Sequence, residues 1–73
     1  MEELEIFARH EDRERLERIV AQIDPGYRKY INLHNTGETI FVAKGGPELV
    51  VQCMANGATA VARGSNMADD KAV

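Results

Sequence analysis

Apolar positions recur with a period of two at Leu4, Ile6 and Ala8, alternating with Glu5, Phe7 and Arg9, and this alternation predicts a half-buried β-strand. Leu4, Phe7 and Ala8 also satisfy helical spacing, and no breaker separates them from the next segment, so one helix over residues 2 to 23 is the competing assignment. From Leu16 onward the period changes. Leu16, Ile19, Val20 and Ile23 form the apolar stripe of an amphipathic helix. Glu11 and Asp12 fall in its first turn, where the helix dipole favours acids. Glu11–Arg15, Arg13–Glu17 and Glu14–Arg18 are spaced to pair on its outer faces. Asp24-Pro25-Gly26 stops it, because proline disfavours helical geometry in the residue before it.

Residues 27 to 34 and 39 to 44 are rich in β-branched and aromatic side chains and are joined by Asn35-Thr36-Gly37-Glu38, which predicts a hairpin. Pairing His34 with Thr39 sets Leu33 opposite Ile40 and Ile31 opposite Val42 on an apolar core face, and leaves Asn32–Phe41 and Tyr30–Ala43 on the other face. A second helix is bracketed by Gly45-Gly46-Pro47 and Asn56-Gly57, with proline suited to the first helical position and glycine to the residue past the last. It is expected to give Leu49, Val50, Cys53 and Met54 to the core. Ala58 to Arg63 reads as a short strand of small residues.

The order β-α-β-β-α-β predicts an α+β fold, a small ferredoxin-like (split β-α-β) two-layer sandwich with both helices on one sheet face. The alternative, with a helical N-terminus, is αββαβ. Residues 1–64 form a single predicted domain and residues 65–73, polar and without periodicity, a flexible C-terminal tail. A 73-residue chain buries only about 60% of the surface its unfolded form exposes, so a partner or a second copy would add stability.

Charge changes this picture in one respect. The net charge of −3 divides into −4 over residues 1–26, +2 over residues 27–64 and −1 over the tail, a balance unlike the basic footprint of a duplex-DNA binder. No run of about 18 apolar residues and no signal-peptide pattern occurs, and Cys53 is the single cysteine, so the expected setting is cytoplasmic and no membrane partner is expected.

Candidate chemistry is sparse. His10, His34 and Cys53 lie on three elements without metal-ligand spacing, so neither a metal site nor a cofactor is expected. Ser65 is the lone serine and starts the tail, so no Ser–His–Asp arrangement is credible and no catalytic residue is assigned. Lys44-Gly45-Gly46-Pro47 ahead of a helix resembles an anion cradle only in having a cation and free N–H groups; it lacks the spacing of a P-loop.

The expected binding surface is the sheet face away from the helices, with Phe7, Arg9, Tyr30, Asn32, His34 and Phe41 as its candidate residues and Thr39 and Arg63 beside them. Gly37 to Lys44 carries a Phe41-Val42 step that resembles part of the RNA-recognition motif, without that family's basic start, inner glycine and outer aromatics. The resemblance implies base stacking on sheet aromatics. A second candidate surface is the acidic helix face of Glu11, Asp12, Glu14 and Glu17, which could imitate nucleic-acid phosphates.

Size, acidity and missing chemistry favour a non-catalytic protein-binding module that occupies the surface of a larger partner. A regulator or phage-type inhibitor, for example of a nucleic-acid-guided defence complex such as CRISPR-Cas, is one member of that class. The alternatives are a single-stranded RNA or DNA binder using the aromatic sheet face, and a homodimeric accessory subunit.

Overall fold

The computed structural model describes residues 2–32 and 37–63, the side chains of residues 2 and 32 excepted. Strand β1 spans Glu2–Ala8, a 3-10 turn spans His10–Asp12, and helix α1 spans Arg13–Ile23. Strands β2 (Arg28–Asn32) and β3 (Glu38–Gly45), helix α2 (Pro47–Ala55) and strand β4 (Ala58–Arg63) follow. The N-terminal segment is therefore a strand. Arg9, extended at φ −67° and ψ 156°, separates it from the helical residues beyond. His34 and the tail from residue 65 lie outside the described residues.

All four strands join one antiparallel sheet in the order β2-β3-β1-β4. With β1 and β3 both central, β1 runs parallel to β2 across β3, and β3 runs parallel to β4 across β1. Both helices cover one face, giving a two-layer α+β sandwich. Its core is Leu4, Ile6 and Ala8 from β1, Phe41 and Ala43 from β3, Leu16 and Val20 from α1, and Leu49 and Cys53 from α2, closed by Ala58.

The hairpin differs from the sequence reading. Tyr30 pairs with Ile40, Ile31 with Thr39 and Asn32 with Glu38, a slip of three positions from the expected register. An odd slip exchanges the two faces. Phe41, expected on the open face, is fully buried against the helices, whereas Ile40 and Val42 turn away from them. The cause lies in β1. Its alternation fixes Leu4, Ile6 and Ala8 toward the helices, and these pair with Ala43, Phe41 and Thr39 over a seven-residue ladder, longer than the five pairs that join β2 to β3. Phe41 fills the space between helices and sheet, with the Tyr27 ring tilted against it at 6.2 Å.

Two clamps hold α1. At its start the Asp12 carboxylate, almost buried, accepts hydrogen bonds from Arg9 at 3.1 Å and Arg15 at 2.9 Å. Gly57, at φ +107°, leaves just enough room for it, since a Cβ there would stand 2.9 Å from Asp12 Cγ. Farther along, Glu17 accepts from the Tyr27 hydroxyl and from Lys29 Nζ at 3.0 Å, tying the helix to β2. Helix α2 opens at Pro47 as expected. Met54, expected in the core, is 49% exposed, because the buried stripe is centred on Leu49 and Cys53 and Met54 lies about 100° past Cys53.

Candidate partner-binding face

The sheet face opposite the helices is built by residues one step out of phase with the core. Across it runs a row of Tyr30, Ile40, Phe7 and Ala60, each paired with the next on the neighbouring strand. A second row runs Arg28, Val42, Glu5 and Ala62. Tyr30 is 50% exposed, Phe7 and Ile40 are half-buried and Ala60 and Ala62 are exposed. Apolar side chains thus form a continuous strip over all four strands.

Charged groups frame this strip. Arg28 Nη2 reaches Glu3 Oε2 at 2.7 Å, and since Arg28 pairs with Val42 while Glu3 pairs with Lys44, the ion pair crosses β3 above Val42. That bridge explains why Val42 is 8% exposed although it faces away from the helices. Thr59, the extra residue where the β1–β4 register shifts, donates to Glu38 Oε2 at 3.0 Å and to the Phe7 carbonyl at 3.2 Å. The face carries Glu3, Glu5 and Glu38 against Arg28 and Lys44.

Of the residues expected here, Phe7 and Tyr30 are on the face, and Asn32 belongs to the same row position as Glu38. Phe41 is not, for the reason given above. Thr39 is buried on the helix side, and Arg63 pairs with Leu4 on that side as well. Arg9 lies past the end of β1 and holds Asp12. The acidic helix face also breaks up: Asp12 and Glu17 are engaged by internal partners, leaving Glu11 and Glu14 exposed.

No protein-family model, curated protein or solved structure matches the chain.

The chemistry of the site therefore rests on its geometry. Among the described residues no group of three or more His, Cys, Asp or Glu side chains could hold a metal ion, and no helix is long and apolar enough to cross a membrane. A groove of about 240 Å³ gathers Arg9, His10, Glu11 and Glu38, but its arginine already serves Asp12 and its lining includes no nucleophile. Burial pushes the Cys53 thiol up from its ordinary pKa, which keeps it protonated and weakly nucleophilic. Lys44 lies on the open face while α2 starts on the other side of the sheet, so cation and helix N-terminus do not converge. Gly45 serves packing: a Cβ there would come 2.6 Å from Leu49 Cδ2.

Ile40, Val42, Ala60 and Ala62 were missed as face residues by sequence reasoning. The signal was present in β1. Once Leu4, Ile6 and Ala8 are assigned to the core, any antiparallel neighbour must place its own face residues opposite Glu5 and Phe7.

Proposed function

We propose that the chain is a small, non-catalytic protein-binding module that docks the Tyr30–Ile40–Phe7–Ala60 strip onto an apolar surface of a larger protein. The observation that carries this reading is the strip itself, apolar across four strands and rimmed by an ion pair and carboxylates, the arrangement of a contact patch with a polar border. The strand order supports taking the fold as the ferredoxin-like sandwich, whose second sheet face is available for contacts when both helices occupy the first. A regulator or inhibitor that covers a working surface of its target is the class this reading favours.

Single-stranded nucleic acid is a weaker fit to the same face. Tyr30 and Phe7 are separated by β3, about 10 Å at two strand spacings, and among the described residues three carboxylates outnumber two cations around them, which disfavours phosphate. Removing Phe41 from the face also takes away the residue on which the stacking reading leaned.

Affinity capture on the full chain from a lysate of its source organism tests the proposal, with Tyr30→Ala and Phe7→Ala as paired variants. The expected result is a defined protein that survives nuclease treatment and is lost with both variants. Capture of nucleic acid, capture unchanged by the variants, or no captured protein overturns it.

A further inference from the structure

The carboxylates of the open sheet face are unevenly satisfied. Glu3 accepts from Arg28 at 2.7 Å, and Glu38 accepts from the Thr59 hydroxyl at 3.0 Å. Glu5 stands apart. Among the described residues nothing donates a hydrogen bond to its side chain and no cation lies within ion-pair distance of it. The two cations of the face are placed elsewhere: Arg28 is committed to Glu3, and Lys44 stands opposite Glu3 in the register.

Position makes this one carboxylate consequential. Glu5 is half-buried on the central strand β1, between Val42 and Ala62 across the ladders, and two residues, about 7 Å, from Phe7. An interface of ordinary size covers about 800 Å² on each partner, so a surface seated on the Tyr30–Ile40–Phe7–Ala60 strip covers Glu5 as well. Covering it strips away its water. An ionised carboxylate enclosed by apolar groups is costly unless a cation is brought against it with good hydrogen-bond geometry. Arginine suits this place better than lysine, because a guanidinium is planar, weakly hydrated, able to bond both carboxylate oxygens and able to lie over an aromatic ring. Phe7 offers that ring on the same face of the same strand.

We infer that the partner docking on the strip carries an arginine, set among aliphatic side chains, whose guanidinium pairs with Glu5 above Phe7. This rests on the reading of the strip as a docking surface and adds the chemistry of what docks there: an apolar protein surface with a basic centre. The rest of the face agrees in sign. With Glu3 and Arg28 cancelling, Glu5 and Glu38 outweigh Lys44, and such a face steers toward a cationic partner and away from an acidic one.

A random peptide library displayed on phage and panned against the immobilised full chain supplies the probe. Recovered peptides are titrated against the wild type, Glu5→Gln and Tyr30→Ala, each peptide with its arginine intact and with citrulline, the neutral isostere, in its place. Binders are expected to hold arginine among aliphatic residues. Glu5→Gln and citrulline should each weaken binding by about tenfold or more, and the two together little more than either alone, because they break the same pair. Tyr30→Ala should weaken it too, and an unchanged far-UV dichroism spectrum shows that each variant folds. Binders that Tyr30→Ala weakens but Glu5→Gln does not, or whose two losses add independently, overturn this inference and leave the strip reading standing. Binders indifferent to Tyr30→Ala, or no binders at all, overturn the strip reading and the inference with it. Sedimentation of a dimer that Tyr30→Ala abolishes assigns the face to a second copy and likewise overturns both.

Discussion

Phe41→Ala is the perturbation on which the face assignment turns. In the structure the Phe41 ring is fully buried among Ile6, Leu16, Val20 and Leu49 and lies 6.2 Å from the Tyr27 ring. Truncation to alanine removes that burial and leaves a cavity that two helices can close only in part, a loss of about 3–5 kcal/mol. For 73 residues the whole stability is roughly 4–11 kcal/mol at the usual per-residue value, so the variant should be marginal or unfolded at room temperature. Had Phe41 stood on the open face opposite Asn32, truncation would have removed one cross-strand contact worth about 0.2–1 kcal/mol. Tyr30→Ala, half-exposed on the strip, should show that smaller cost. Urea unfolding followed by far-UV dichroism, at one fixed protein concentration because self-association would raise apparent stability, measures both variants. Phe41→Leu keeps the system foldable, with an expected loss of roughly 1–1.5 kcal/mol. A Phe41→Ala cost equal to that of Tyr30→Ala would refute the register and everything built on it.

Two other expectations concern the clamps on α1. Gly57→Ala forces a side chain into positive φ and drives its Cβ toward the Asp12 carboxylate at 2.9 Å; thermal unfolding should show a loss above the ~1 kcal/mol of a simple left-handed alanine, and a neutral result would mean that Asp12 is not held there. Acid should weaken the fold through Glu17 and Asp24. Tyr27 and then Lys29 hydrogen bonds hold the Glu17 pKa below 4.5, and the Lys44 N–H, donated at 2.7 Å, foremost holds Asp24 below 3.8. A depressed native pKa gives stability that is complete above the unfolded value and disappears as pH falls through the native one, so the urea midpoint should drop below about pH 4.5, and less so in Glu17→Gln. Tyr27, raised above 10.0 chiefly by its bond to Glu17, has the opposite sign and adds a loss as pH climbs past its native value.

The four strands and two helices were legible because they carry local signatures: alternation in β1, which left a helix as its competitor, the 3.6 period of α1, Asp24-Pro25-Gly26 after it, and Pro47 and Gly57 around α2; the 3-10 turn over His10–Asp12, which takes Glu11 and Asp12 out of the expected first turn of α1, was not. Faces and registers were less so, and the reason is physical. A hairpin's loop and its two strands leave several registers with good apolar pairing, and Ile31, Leu33, Ile40 and Val42 happen to match well in the wrong one. What excludes that pairing is non-local. Strand β3 is central, and its face is set by β1, some 35 residues away in the chain, together with the volume between the helices that Phe41 fills. The same argument explains Asp12 and Glu17, which read as a solvated acidic face: the arginine partners of Asp12 are local, but the Gly57 turn that it packs against, like the Tyr27 and Lys29 partners of Glu17, comes close only after the sheet has formed. Local code therefore located Phe7 and Tyr30 on the strip, since each sits on a strand whose own pattern or exposure fixes it. Ile40, Val42, Ala60 and Ala62 joined it through pairing, the one kind of information that a single strand's sequence does not contain.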